Sequence, residues 1–168
     1  YMDPIMQKHG LTPDQKLLKS IYDALPERNA GKSDLERSVT ILGSDFALDE
    51  TSDIKRLLKA ENIEVRELPT CDSWKAYENL ADSRIFIACY PPGKYGLESQ
   101  AERLGKKALY LPGSFDYEEI IRQWRMLEQT VTESVRDAEI DETIEREIAL
   151  CEAVLKKTRQ IIGDAQIM

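Results

Sequence analysis

A three-layer α/β/α fold with a mainly parallel sheet is what this sequence predicts, and three observations carry the prediction. From Ser38 onward, short strand-like runs alternate with stretches of helical spacing. Two of those runs, Val39-Thr40-Ile41-Leu42 and Ile85-Phe86-Ile87-Ala88, lack a polar-apolar alternation, as suits strands covered on both faces. The runs lead into glycine- or proline-bearing turns, and strands and helices in such succession build right-handed βαβ units. The expected domain is Rossmann-like (flavodoxin-like), with at least four strands and flanking helices at both ends.

Taken in order, Thr12-Pro13-Asp14-Gln15 forms a capping box with proline at the first helical position, and Leu17, Leu18, Ile21, Tyr22 and Leu25 follow at helical spacing. This helix should end near Pro26, and the polar, glycine-containing stretch to Arg37 reads as a linker. After the strand at 39–42 comes a helix over about 50–62 with Ile54, Leu57 and Leu58 on one face. Residues 63–68 alternate as a more exposed strand would. A short helix at 73–80 and the strand at 84–88 follow. Pro91 and Pro92 cannot continue that strand, Gly93 turns the chain, and a helix is expected from about Gly96 to Leu104, ended by Gly105. A fourth strand spans 107–111. Asp116 and Glu119 can cap a helix carrying Ile120, Trp124, Leu127 and Val131, and a last helix bears Ile140, Ile144, Ile148, Cys151 and Leu155 on one stripe that needs a partner. The domain layout read from this is 1–37 helix and linker, 38–135 α/β domain, 136–168 C-terminal helix.

The chain has 168 residues and a net charge of −8, which disfavours a nucleic-acid or anionic-membrane partner. No apolar run approaches the ~20 residues of a membrane span and no signal-peptide pattern opens the chain, so a cytoplasmic protein is expected. The opening Tyr1-Met2-Asp3 and the turn-like Gly163-Asp164 read as ends of a domain cut from a longer chain. Cys71, Cys89 and Cys151 are widely spaced, with neither a disulfide framework nor a Cys-x-x-Cys zinc pair.

In a parallel sheet all carboxyl ends open on one edge, where ligands bind. Gly43-Ser44-Asp45, Cys89 to Gly93 and Pro112-Gly113-Ser114 should therefore converge, the glycines letting backbone approach a ligand, with Cys71 a lesser candidate for the same cleft. Neither G-x-G-x-x-G nor a P-loop is present; Gly31-Lys32-Ser33 lacks the preceding strand. Cys89 has three readings: a small apolar residue closing a strand, a nucleophile for which no base lies nearby, or a metal or cluster ligand whose co-ligands come from elsewhere. Cys151, Trp74 and Trp124 read as packing residues and His9 as a surface residue.

The ordered set Val39-Thr40-Ile41-Leu42-Gly43, Asp53 to Leu58, Asn62-Ile63-Glu64-Val65, Ile87-Ala88-Cys89-Tyr90 with Tyr95-Gly96, and Leu104 to Leu109 resembles the middle Rossmann-like domain of the nitrogenase component 1 family. That family holds molybdenum-iron protein subunits, cofactor scaffolds and protochlorophyllide reductase-type subunits. The resemblance implies that Cys89 ligates a cluster metal, that Tyr90, Tyr95, Gly43, Ser44, Asp45 and Gly113 line the cofactor site, and that the cofactor is an iron-sulfur or iron-molybdenum-type cluster. Pro91 to Lys94 depart from the basic and hydroxyl residues of the catalytic subunit, which alters what would surround a cluster. Implied partners are the other domains, a second component 1 subunit and an ATP-dependent iron-sulfur reductase. On that reading the parent is an oxidoreductase and this chain alone is inactive, since one cysteine cannot hold a cluster. The alternative is a non-catalytic cofactor carrier, assembly scaffold or small-molecule-binding module.

Overall fold

A computed structural model describes residues 10–27, 37–132 and 137–163. His9 and most of the expected linker lie outside the described residues. The chain forms two compact units, 1–113 and 114–168.

The first unit contains α1 (Pro13–Asp23), β1 (Ser38–Leu42), α2 (Asp53–Ala60), β2 (Glu64–Glu67), α3 (Trp74–Asn79), β3 (Ile85–Ala88), α4 (Pro91–Leu104) and β4 (Lys107–Tyr110). The four strands pair in the order β2-β1-β3-β4, all parallel, with Val39 opposite both Val65 and Ile85, and Ile87 opposite Leu109. Every residue of β1 and β3 is buried, as central strands require; β3 is apolar throughout, and in β1 the buried Thr40 hydroxyl is satisfied by the Leu80 carbonyl and Ser83. This is the expected Rossmann-like α/β sheet. Right-handed crossovers put α2 on one face and α3 and α4 on the other.

Leu42, Phe86 and Ala88 share a core with Leu18 and Tyr22 of α1, with Leu25 just beyond it, and with Leu97 and Ala101 of α4. Strand alternation sends Val39, Ile41, Ile85 and Ile87 to the α2 side. The capping box that opens α1 is formed, Thr12 Oγ1 accepting from Gln15 N–H and Gln15 Oε1 from Thr12 N–H. At its other end, the Arg103 guanidinium on α4 donates to the Tyr22 and Leu25 carbonyls at 3.3 and 2.9 Å, adding to the backbone bond that the Tyr22 carbonyl accepts from the Leu25 N–H. Gln100 donates to Asp23 beside it. α1 therefore belongs to the sheet unit and is clasped to α4.

α4 begins five residues earlier than its spacing suggested. Pro91 and Pro92 fill its first two positions, where a missing N–H costs nothing, so the stretch expected as a turn is the helix's first turn. Gly105, at φ +65°, ends it as expected.

The second unit holds α5 (Tyr117–Thr132) and α6 (Asp137–Ile162). Asp116 Oδ1 accepts from the Glu118 and Glu119 N–H groups and caps α5. Tyr117, the first residue of α5, donates to Glu152 Oε1 on α6 at 3.0 Å, and α6 runs ten residues further. Cys151, read as core, is exposed, because it lies in a stretch of α6 exposed from Ala149 to Gly163; the Ile140 side chain lies outside the described residues.

Candidate functional site at the carboxyl edge of the sheet

Strand register sets the exits of β1, β3 and β4 side by side: Leu42 pairs with Ala88, Ala88 with Tyr110, and the Leu111 N–H donates to the Ala88 carbonyl at 2.9 Å. β1 and β3 are the strands where the chain order reverses, so the topological switch point lies between Gly43 and Cys89.

That gap is closed on the α4 side by two glycines. Gly43 has φ +83°, and a Cβ built on it would lie 2.3 Å from the Gly93 Cα; one built on Gly93 would lie 2.8 Å from the Gly43 Cα. The pair lets the first turn of α4 rest directly on the exit of β1. The expectation that Gly43 makes room for a ligand is thus corrected: the space goes to Gly93. The Gly43 N–H is also taken, donating to the buried Tyr22 hydroxyl at 3.1 Å. Burial pushes that phenol up to about 12, against the pull of the Gly43 hydrogen bond.

Cys89 follows Ala88, which faces the α1/α4 core, so alternation turns the thiol toward the α2 side. There it feels the Glu67 carboxylate. Burial, with Glu67 adding to it, pushes the thiol up to about 11, so Cys89 is a neutral thiol at pH 7. It is partly covered, not sealed.

Glu67 is a functional-looking group that the sequence reading missed. It is 3% exposed, its Oε2 lies 2.6 Å from the Nζ of Lys55, itself 7% exposed, and its Oε1 accepts from the Leu48 N–H at 2.8 Å. Glu50 adds a second carboxylate 2.8 Å from Lys55. Burial works against the charge on Lys55, but the hydrogen bonds to Glu50 and Glu67 outweigh it and hold its pKa above the ordinary value. The alternation of 63–68 assigned Glu67 to an exposed strand. Its one sequence signal is Lys55, a charged residue three positions before Leu58 on the buried face of α2.

The remaining expected residues are dispersed. The Ser44 hydroxyl bonds its own loop, accepting from the Phe46 N–H at 3.2 Å, and Asp45 is exposed. Tyr90 is the N-cap residue of α4 without a side-chain cap bond; Tyr95 lies in its first turns, and both are exposed. Gly113 is exposed with open space around it, at the end of the first unit. Cys71 donates to the Glu67 carbonyl at 3.4 Å; burial and then Asp72 push its thiol up. Trp74, read as packing, is 70% exposed and lies 4.9 Å from the Tyr77 ring. With Phe46 at 81% exposure, three of the four strand exits of the first unit carry uncovered aromatic side chains.

Comparison of the chain with family models, with curated proteins and with solved structures finds no match. Among the described residues no three His, Cys, Asp or Glu side chains come together as a ligand set for an ion, and no helix is long and apolar enough to cross a membrane. A metallocluster thus fits this chain on one side only. Cys89 can supply one thiolate at the strand exit, and among the described residues no three-ligand set forms around it.

Proposed function

We propose that this chain is the middle α/β domain of a nitrogenase component 1-type oxidoreductase, where it forms one wall of a metallocluster or substrate site. The observation that carries the reading is the position of Cys89, a partly covered thiol at the carboxyl end of a central strand, at the switch point of a parallel sheet. The resemblance of the ordered motifs from Val39 to Leu109 to that family supports the reading. A cluster bound there supplies the electron transfer; the chain's own residues position and insulate it. Cys89 holds its proton at neutral pH and must release it on ligation, so affinity rises with pH. The buried Lys55–Glu67 pair fixes the Leu48 loop and sets a negative charge near the thiol. On this reading the other domains, a second component 1 subunit and an ATP-dependent iron-sulfur reductase are the partners, and the chain alone is inactive.

The test is anaerobic reconstitution with ferrous iron, sulfide and an excess of a small thiol that completes the ligand set. It is run in a Cys151→Ser background to remove the exposed thiol. Sulfur-to-iron absorbance that survives gel filtration in that parent and in Cys71→Ala, and is lost in Cys89→Ala, supports the ligand role. Equal absorbance with and without Cys89, in folded protein, overturns it. A second reading, a binding module for a flat ligand, is favoured by the uncovered Phe46, Trp74, Tyr90 and Tyr95 along the same edge.

A further inference from the structure

We infer that the exits of β1 and β2 form a docking surface for an arginine-bearing basic segment of a partner protein. Ile41 pairs with Glu67, so the two exits are neighbours. Each carries an exposed aromatic side chain beside an exposed carboxylate: Phe46 next to Asp45, and Trp74 two residues after Asp72. The buried Tyr22 hydroxyl shows that they converge. Burial first, and then Cys71, Asp45 and Tyr77, push its pKa up, so the β1 loop, the β2 loop and α3 all lie round it. The Tyr77 ring meets that of Trp74 at 4.9 Å, and with Trp74 70% exposed most of the indole stays open. Side chains that stand out from the surface in this way, rimmed by charge, suit the anchors of a protein interface, whereas a small-molecule site buries its lining.

Hydrogen bonding at this edge turns anions away. Pro91 and Pro92 remove two N–H groups from the start of α4, and the Gly93 N–H donates to the Tyr90 carbonyl at 3.0 Å. The Gly43, Phe46, Leu48 and Cys71 N–H groups donate to the Tyr22 hydroxyl, Ser44 Oγ, Glu67 Oε1 and the Leu68 carbonyl. These donors, which a phosphate would need, are taken. Charge points the same way. Asp45, Asp49 and Asp72 lie on the two loops against Lys75, and Lys55, between Glu50 and Glu67, neutralises one of that pair. Hydrogen bonds from Thr51 hold the Asp49 carboxyl below its ordinary value and keep it ionised. Lys94 sits apart, over the Tyr110 ring at the exits of β3 and β4. A guanidinium meets both features of the surface: it stacks on an indole face and pairs a carboxylate through two parallel N–H bonds. This surface does not depend on a cluster at Cys89.

The test titrates the full chain with a hexa-arginine peptide at low ionic strength, in a Trp124→Phe background that leaves Trp74 as the sole tryptophan. Binding should shift Trp74 emission and shield it from acrylamide. Calorimetry should show Trp74→Ala, Asp45→Asn and Asp72→Asn each weakening the complex about two- to fivefold. Glu102→Gln, an exposed acid in the last turn of α4 and so at the opposite edge, should leave it unchanged. Circular dichroism checks that the exposed substitutions keep the fold. The inference is overturned by no binding up to about 1 mM peptide, by acrylamide quenching that saturating peptide does not alter, or by Glu102→Gln weakening the complex as much as Asp72→Asn. N-acetyl-arginine amide binding as tightly as the peptide would mark a small-molecule site instead, and overturns it as well.

Discussion

Two glycines three residues apart in α4 face opposite constraints, and the difference is steric. Gly93 lies against the Gly43 backbone, whereas a Cβ at Gly96 would meet only the Tyr22 ring and the Lys19 Cα at 3.7 and 3.8 Å, ordinary contact distances. Gly93→Ala should therefore destabilise by about 1–3 kcal/mol through overpacking. Gly96→Ala, in a helix interior with room to spare, should stabilise by about 0.5–1 kcal/mol. Urea midpoints of the two variants check the contrast; equal shifts would refute it. At this scale the sequence was legible where a residue acts through its own backbone, as in the Thr12–Gln15 capping box and the left-handed Gly105. It was not legible where a residue acts through a neighbour distant in sequence. Gly43 announces a tight turn, but nothing nearby says that Gly93 is what it makes room for. Trp74 and Cys151 were misread for a related reason: periodicity places a residue on a helix face without saying whether anything covers that face.

Secondary-structure elements were more readable than their ends. The buried strands β1 and β3 follow from runs of apolar residues, and parallel pairing follows from helices between them. The start of α4 did not follow, because Pro-Pro reads as a terminator of the strand before it and equally as the opening of a helix, and only the packing of that first turn on β1 decides. The edge strand β2 hides a buried ion pair, Lys55–Glu67. Lys55→Met leaves the Glu67 carboxylate buried without its cation, at a cost of about 3–5 kcal/mol. Lys55→Met combined with Glu67→Leu should recover about half of this, since the Leu48 N–H then loses its acceptor. Chemical denaturation of both variants tests this, and a single variant as stable as the parent would contradict it.

For the molecule as a whole, the partly covered Cys89 and the buried Tyr22 contribute to the alkaline limit. Cys89 rises from an ordinary value near 9 to about 11 and Tyr22 from 10 to about 12. Above pH 9 the unfolded chain gives up these protons before the folded one does, so the folded state binds more protons and stability falls as pH rises. The loss begins near pH 9 with Cys89 and continues to about pH 12 with Tyr22. Cys89→Ala should flatten the first part of that fall in a series of thermal melts, and an unchanged slope would argue against it. The division into units 1–113 and 114–168 is the feature least visible beforehand, because linear alternation runs without a break through β4 into α5.

The clasp between Arg103 and the carbonyls of Tyr22 and Leu25 spans 81 and 78 positions of the chain. On the ribosome, α1 is made long before α4, its resting place. Leu18, Tyr22 and Leu25 stay wet until α4 has cleared the exit tunnel, so within this unit α1 settles late although it is synthesised ahead of the strands.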